Sequence, residues 1–292
     1  MFDFLQAALD GVMFGALYAL IGIGFTLVFG VMHKLNLAYA AASIGGAYCG
    51  LLTLQVMAGA PIGLVFLAAF LAGGILGWVV YLLCFHFIPL SNPLATLMST
   101  MGMLLLIDEI VVHATDGMPQ HHPAPFDEVM LRAGEFTLRG DLLLVFAVSV
   151  LCMIGLLLLL YRTRLGLATR AVSQQPVAAQ LCGMRLARVN AVTFVIAGLL
   201  GGLAGALIGA AVGTLSPLLT LPLTVKGLIV SVIGGLGSIP GAIVAGLLVG
   251  GFENVFQLWR GVTERDLYVM LLLFAFLIFR PGGLIAPRGG RD

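Results

Sequence analysis

Two adjacent carboxylates, Asp108 and Glu109, stand inside the apolar run MLLLIDEIVVHA. An ionised side chain at the centre of a bilayer costs roughly 2.5–3.5 kcal/mol on insertion scales, so such groups mark solute contact, gating or ion pairing. Successive residues on a helix are about 100° apart, so the two acids cannot both face one target. His113 lies one turn beyond Glu109 and is placed to pair with it. Structural pairing near the outer end of a span is favoured over contact with a solute. Lys226, in LPLTVKGLIV, is one of two lysines in the chain. It is expected to snorkel to the outer headgroups. The alternative is a pair with an acid such as Asp108 or Glu109, or the orientation of a carboxylate in a pathway.

The other reactive residue types do not assemble into a catalyst. The sequence has no G-x-x-x-x-G-K-[ST], so ATP hydrolysis on a phosphate loop is excluded. GGLGSIPG, residues 234–241, has the spacing G-x-G-x-x-x-G and lacks the βαβ context of a dinucleotide loop. His121 and His122 are adjacent and read as solvated loop residues, not a metal pair. Cys49, Cys84, Cys152 and Cys182 show no C-x-x-C spacing and are read as small packing residues. No metal, cofactor or catalytic set is expected, and a net charge of +1 gives no sign of nucleic acid.

What positions these residues is a membrane. The chain is 61% hydrophobic and 9% charged, against ~25% charged in globular domains. Lipid offers no partner for bare backbone groups, which favours helices. A β-barrel would alternate every second residue, whereas LLLVFAVSVLCMIGLLLLLY (142–161) is unbroken and about the length of a spanning helix. The expected fold is an all-α, polytopic membrane protein: one transmembrane domain over residues 1–292 with eight or nine segments. They fall near 5–30, 38–58, 61–85, 93–114, 142–161, 190–212, a broken pair at 224–237 and 240–258, and 267–280. The N-terminal MFDFLQAALDG lacks a basic region and carries Asp3 and Asp10, so it is read as a retained span and not a cleaved signal.

Charge sets the sidedness. The loop 115–141 holds Asp116, Asp127, Glu128, Glu135 and Asp141 against Arg132 and Arg139. The loop 162–189 holds Arg162, Arg164, Arg170, Arg185 and Arg188 and no acid. The positive-inside rule places the second in the cytoplasm and the first outside, with one span between them. The tail RPGGLIAPRGGRD is placed inside and the N-terminus outside. EFTLRGD in the outer loop suits a short strand or hairpin. In the inner loop, SQQPVAAQLCGM has Pro176 for a first helical turn and Gly183 for a helix end. A helix of about two turns is unstable alone. It therefore docks on a partner surface, or it is a connector held by lipid headgroups through its arginines.

VAAQLCG resembles the A-A-x-x-x-G part of the loop by which ABC-importer permeases contact their ATPases, with Val177 where Glu is usual. Segments 11–48, 164–207 and 216–255, with the closing FRPGGL (279–284), together resemble the permease subunits of branched-chain amino acid ABC transporters. The order and length favour the smaller of the two paired permease types. The resemblance implies an importer in a bacterial inner membrane. Its partners would be a second homologous permease, two ABC ATPase subunits and a soluble periplasmic or extracellular substrate-binding protein. It assigns coupling to the ATPase to Pro176, Val177, Ala178, Ala179, Gln180 and Gly183. Family members often carry Lys at 226. The family usually reads N-F-A-H-G after the first span, but here the residues are NLAYA, Asn36 to Ala40. Tyr39 and Ala40 replace the His and Gly, so the solute can differ from leucine, isoleucine and valine; relatives import urea or short amides. A secondary carrier, which also uses broken helices, or a non-transporting scaffold subunit are the alternatives.

The stretch VIGGLGSIPGAIVAGLLVG joins both themes. Gly237, Gly241 and Ala245 recur every four residues, as do Ala242, Gly246 and Gly250. Such rows let helix backbones approach closely. Gly234 to Gly241, with Pro240, is expected to break one helix and start the next, buried or lining a cavity. Asn36, Tyr39, Asp108, Glu109, Lys226, Gly234, Gly235 and Gly237 are the candidate pathway or gating residues.

Overall fold

The computed structural model describes residues 2–57, 61–88, 93–123, 130–133, 136–261, 264–280 and 282–285. The loop acids Asp127, Glu128 and Glu135, and Pro281, Arg288 and Arg291 of the tail, lie outside the described residues. Apolar stretches bounded by Pro, Gly and charge fold as helices, since each satisfies its backbone internally. They are α1 (Phe2–Met32), α2 (Ala38–Val56), α3 (Ile62–Tyr81, prolonged by a π turn over Leu82–His86), α4 (Pro93–Thr115) and α5 (Gly140–Arg162). Then come α6 (Arg164–Gln174), α7 (Pro176–Leu181), α8 (Leu186–Val212), α9 (Thr220–Gly234), α10 (Ile239–Arg260) and α11 (Arg265–Phe279).

Short strands mark one end of the bundle. β1 (Gln120–His121) pairs antiparallel with β4 (Thr214–Leu215) after α8. β2 (Met130–Ala133) and β3 (Phe136–Arg139) form the hairpin expected around EFTLR.

Seven helices among the described residues are long and apolar enough to cross a membrane: α1, α3, α4, α5, α8, α9 with its preceding turn, and α10. The eight or nine segments expected from sequence also included α2 and α11. α2 is enclosed by other helices over most of its 19 residues, so Ala, Gly, Tyr39 and Tyr48 serve where lipid-facing residues would be more apolar. α11 has 15 residues, a length of about 22 Å against a hydrocarbon core of ~30 Å.

Packing sorts the loops onto two faces. The end of α1 (Val31) clusters with Val172 of α6 and Ala179 of α7, placing it on the arginine-loop face. A Cβ on Gly30 would stand 3.2 Å from the Cα of Gly237, so the α9–α10 break is on that face too. α1 also touches β3, and the Asn254 amide donates to the carbonyl of Ala7 near the start of α1 (2.8 Å), placing the end of α10 on the opposite, acidic-loop face.

The break in the glycine-rich stretch is shorter than expected. Helix resumes at Ile239, so only residues 235–238 are non-helical. Pro240 sits in the first turn of α10, where its missing N–H loses nothing, and Ser238 Oγ caps Gly241 N at 3.3 Å. Gly235 and Gly237 have φ of +100° and +90°, which favour glycine. The last carbonyls of α9 are taken by the chain's end: Leu284 N donates to Ile233 O (2.8 Å) and Ile285 N to Gly234 O (3.3 Å).

Candidate functional site

α7 begins at Pro176 after an extended Gln175 and ends in a Schellman motif. Gly183 at φ +82° donates to Gln180 O (2.9 Å) and Met184 N donates to Ala179 O (3.1 Å), the bonds that close such an end. The six-residue helix is held by one buried side chain, Ala179. Val177 and Leu181 stand 68% and 85% exposed. α7 is thus a small rigid knob docked on α1, α6 and α8, presenting an apolar outer face. The sequence merged α6 into the loop; the structure makes it a separate amphipathic helix, with Thr163 Oγ1 capping Gly166 N at 3.1 Å.

The α1–α2 connection turns back into the bundle. Asn36 is buried, and its Oδ1 has no hydrogen-bond partner among the described residues. Tyr39 at the start of α2 packs edge-on against Phe25 (5.0 Å between centroids). Its ring fills the space that Gly24 leaves empty, and its hydroxyl stands beside Ser43 Oγ where Gly201 has no side chain. Tyr39 therefore occupies a slot between α1 and α8 built for its size.

Lys226 does not snorkel, and its acid is neither Asp108 nor Glu109. Its side chain is 8% exposed, and Nζ lies 2.7 Å from Glu253 Oε1 on α10 and 3.1 Å from Asp266 Oδ1 at the start of α11. The same Glu253 oxygen accepts from Arg265 Nε (2.8 Å) and from the Tyr18 hydroxyl (3.1 Å). Lys226 Nζ also donates to Tyr18 Oη (3.2 Å) and lies over the Tyr18 ring. Four helices, α1, α9, α10 and α11, are thus tied by one carboxylate. Sequence reading passed over Glu253 because GFENV sits at the end of an apolar run, where an acid reads as a headgroup residue. The signal available was Gly250–Gly251 just before it, which brings α10 against α1.

Asp108 and Glu109 separate as the helical angle requires. Asp108 Oδ1 accepts from Thr220 Oγ1 (2.8 Å), joining α4 to the start of α9. Glu109 is exposed, with His113 Nδ1 3.2 Å from its carboxylate. The two histidines of the outer loop also differ. His121 is exposed, but His122 is fully buried against Phe66 and Gly209, contrary to a solvated role. Burial pushes its imidazole pKa down, and the neighbouring His121 adds to this, while the Pro123 carbonyl at 3.1 Å opposes it.

The small-residue row of α10 packs on α1. Gly246 faces Ala19 and Gly15, and Gly250 faces Gly15 and Gly11; Gly11 and Gly15 each have an α10 carbonyl 2.7 Å from where a Cβ would stand. Ala242 and Gly241 press instead on Gly234, and Ala245 is fully buried. A second glycine seam, Gly73 and Gly77 of α3 against Gly198 and Gly202 of α8, is as tight and was not read from the sequence.

Comparison with known proteins matches residues 7–280 to the family described as the permease component of branched-chain amino acid transport systems. The chain is 32% identical to the high-affinity branched-chain amino acid transport system permease protein BraD of Pseudomonas aeruginosa, over 97% of this chain and 96% of that one. It is 29% identical to the corresponding LivH protein of Escherichia coli K12, over 97% and 95%. A probable LivH of Methanocaldococcus jannaschii is 25% identical over 94% and 90%.

Proposed function

The chain belongs to the branched-chain amino acid transport permease family, and we propose that it forms, with a second homologous permease, the membrane pathway of an ABC importer coupled through α7 to two separate ATPase subunits. The observation that carries this reading is α7 itself. A six-residue helix whose outer side chains Val177 and Leu181 are exposed, yet whose Ala179 is locked to the bundle, is built to receive a push and pass it on. The helices it touches lead inward. α1 carries the Phe25–Tyr39 contact and α8 the Gly201 slot, so a shift of α7 acts on the segment holding Asn36 and Tyr39. Gly234, Gly235 and Gly237 sit at the turn that adjoins Gly30 on the same face and serve as its hinge.

The solute is a branched-chain or other hydrophobic amino acid, or a related small amide or urea, delivered by a soluble binding protein outside a bacterial inner membrane. Tyr39 and Ala40 are where this pathway departs from the usual family pattern. The experiment is co-purification of the ATPase subunits with, and solute uptake by, the complex carrying Leu181→Glu or Gln180→Arg. Both variants alter the outer surface of α7 and leave Ala179 in place. Loss of ATPase co-purification and of uptake, with the permease still folded, supports coupling. Normal values of both would sink it. A secondary carrier predicts uptake that persists when the ATPase subunits are catalytically dead.

A further inference from the structure

Between α6 and the start of α8, beside α7, lies an open cleft of about 430 Å³, within the ~300–1,000 Å³ of small-molecule pockets. Leu165, Ala168, Val189 and Val192 give it apolar walls, and Arg185 and Arg188 stand at its edge. Neither guanidinium has an acidic partner among the described residues, and the loop 162–189 contains no acid. Two unneutralised arginines on one cleft call for an anion, and their forked donors fit phosphate oxygens. α8 begins here at Leu186, and Arg185 just before it makes no side-chain cap, which leaves the positive end of a 27-residue helix in the same field.

The depth of the cleft selects the kind of anion. α5 leaves its apolar stretch at Arg162 and α8 enters its own at Leu186, so the cleft lies where headgroups meet acyl chains. A free phosphate would gain nothing from four apolar walls; a lipid would use both parts. We propose that this cleft binds an anionic phospholipid, its phosphate on Arg185 and Arg188 and the first methylenes of a chain against Leu165, Ala168, Val189 and Val192. The bound lipid bridges α6 to α8 and steadies the base of α7. This goes beyond the coupling role and does not depend on it.

Native mass spectrometry of the purified complex with its ATPase subunits tests this, using phosphatidylglycerol and phosphatidylcholine of identical chains. Phosphatidylglycerol is expected to be retained over phosphatidylcholine. Arg185→Gln with Arg188→Gln is expected to weaken that retention about thirtyfold, as the loss of two basic side chains near an anionic headgroup would give. Arg162→Gln, in the same loop but outside the cleft, is expected to leave it unchanged. Ala168→Leu fills the apolar wall, keeps both arginines, and is expected to reduce retention; it carries the test if the double variant does not assemble. Equal retention of the two lipids, or no effect of the double variant, would overturn the proposal. So would displacement by inorganic phosphate as effective as by the lipid, which would assign the cleft to a free anion. Retention seen only after the ATPase subunits are stripped would assign the arginines to an acidic ATPase surface, and the lipid would be discarded.

Discussion

Glu253 is the residue whose loss should most disturb the bundle, and the geometry sets how much. Its Oε1 receives Lys226, Arg265 and Tyr18 at 2.7, 2.8 and 3.1 Å. In Glu253→Gln the carboxylate charge disappears and buried Lys226 is left with Asp266, whose side chain is 65% exposed and whose pull is weakened by water. Removing one partner from a buried pair costs about 3–5 kcal/mol. In Lys226→Met the charge left behind is Glu253, which keeps Arg265, a side chain 33% exposed and so mostly sheltered. The cost should then be smaller, roughly 1–3 kcal/mol, that of one charged hydrogen bond. The double variant Lys226→Met with Glu253→Gln removes both members and should be less damaging than the sum by about 1–3 kcal/mol, as contacting residues usually couple. Equilibrium unfolding in mixed micelles, with tyrosine and tryptophan fluorescence as the signal, gives all four corners of this cycle. If Lys226→Met costs as much as Glu253→Gln, or if the two effects add within about 0.5 kcal/mol, the shared-carboxylate account is wrong.

Three further outcomes follow from other contacts. Gly246→Val places a branched side chain against the α1 backbone at Ala19, where the Cβ alone would lie 2.5 Å from a backbone nitrogen; it should abolish stable folding, whereas Gly155→Val, with open space around it, should not, as detergent-solubilised yield and size exclusion would show. Gly201→Ala should perturb the Tyr39–Ser43 slot, and Tyr39→Phe should relieve part of that effect; a Gly201→Ala protein with unchanged uptake and thermal midpoint would count against the slot. Buried His122 has a lowered pKa in the fold, so it is neutral there and takes up a proton on release. Stability of its loop is therefore level above the usual value of 6.5 and falls as pH drops below it; the hydrogen-exchange protection factors of residues 118–123, with the fall in intrinsic exchange divided out, should drop between pH 7 and 5 in the native protein and much less in His122→Gln.

How much of this was legible in the sequence can be judged residue by residue. The angle between Asp108 and Glu109 already required different partners, and i,i+4 spacing already named His113 for Glu109. Pro176 and Gly183 already bracketed α7, because proline at a first turn and glycine beyond a last turn are local backbone preferences. The α10 row of small residues was equally plain, being periodic. Its counterpart on α1 was hidden, because Gly11, Gly15 and Ala19 lie among residues that serve lipid-spanning helices as well. The partner of Lys226 was hidden for a stronger reason: Glu253 is 27 residues away and Asp266 is 40 away, and long-range pairing leaves no local pattern. His122 was misread because burial depends on what closes over a loop, here the ends of α3 and α8.

The sequence by itself determined that the chain is a bundle of membrane helices, where most of them begin and end, and which loop is basic, since these follow from hydropathy, capping and local charge. Only the tertiary structure decided that one carboxylate on α10 ties four helices together, that the FRPGGL end closes the carbonyls of α9, and that Tyr39 fills a slot between two glycines. Each of these needs two distant segments to meet, and in a bilayer that meeting is set by how closely backbones fit and which buried polar groups must be satisfied.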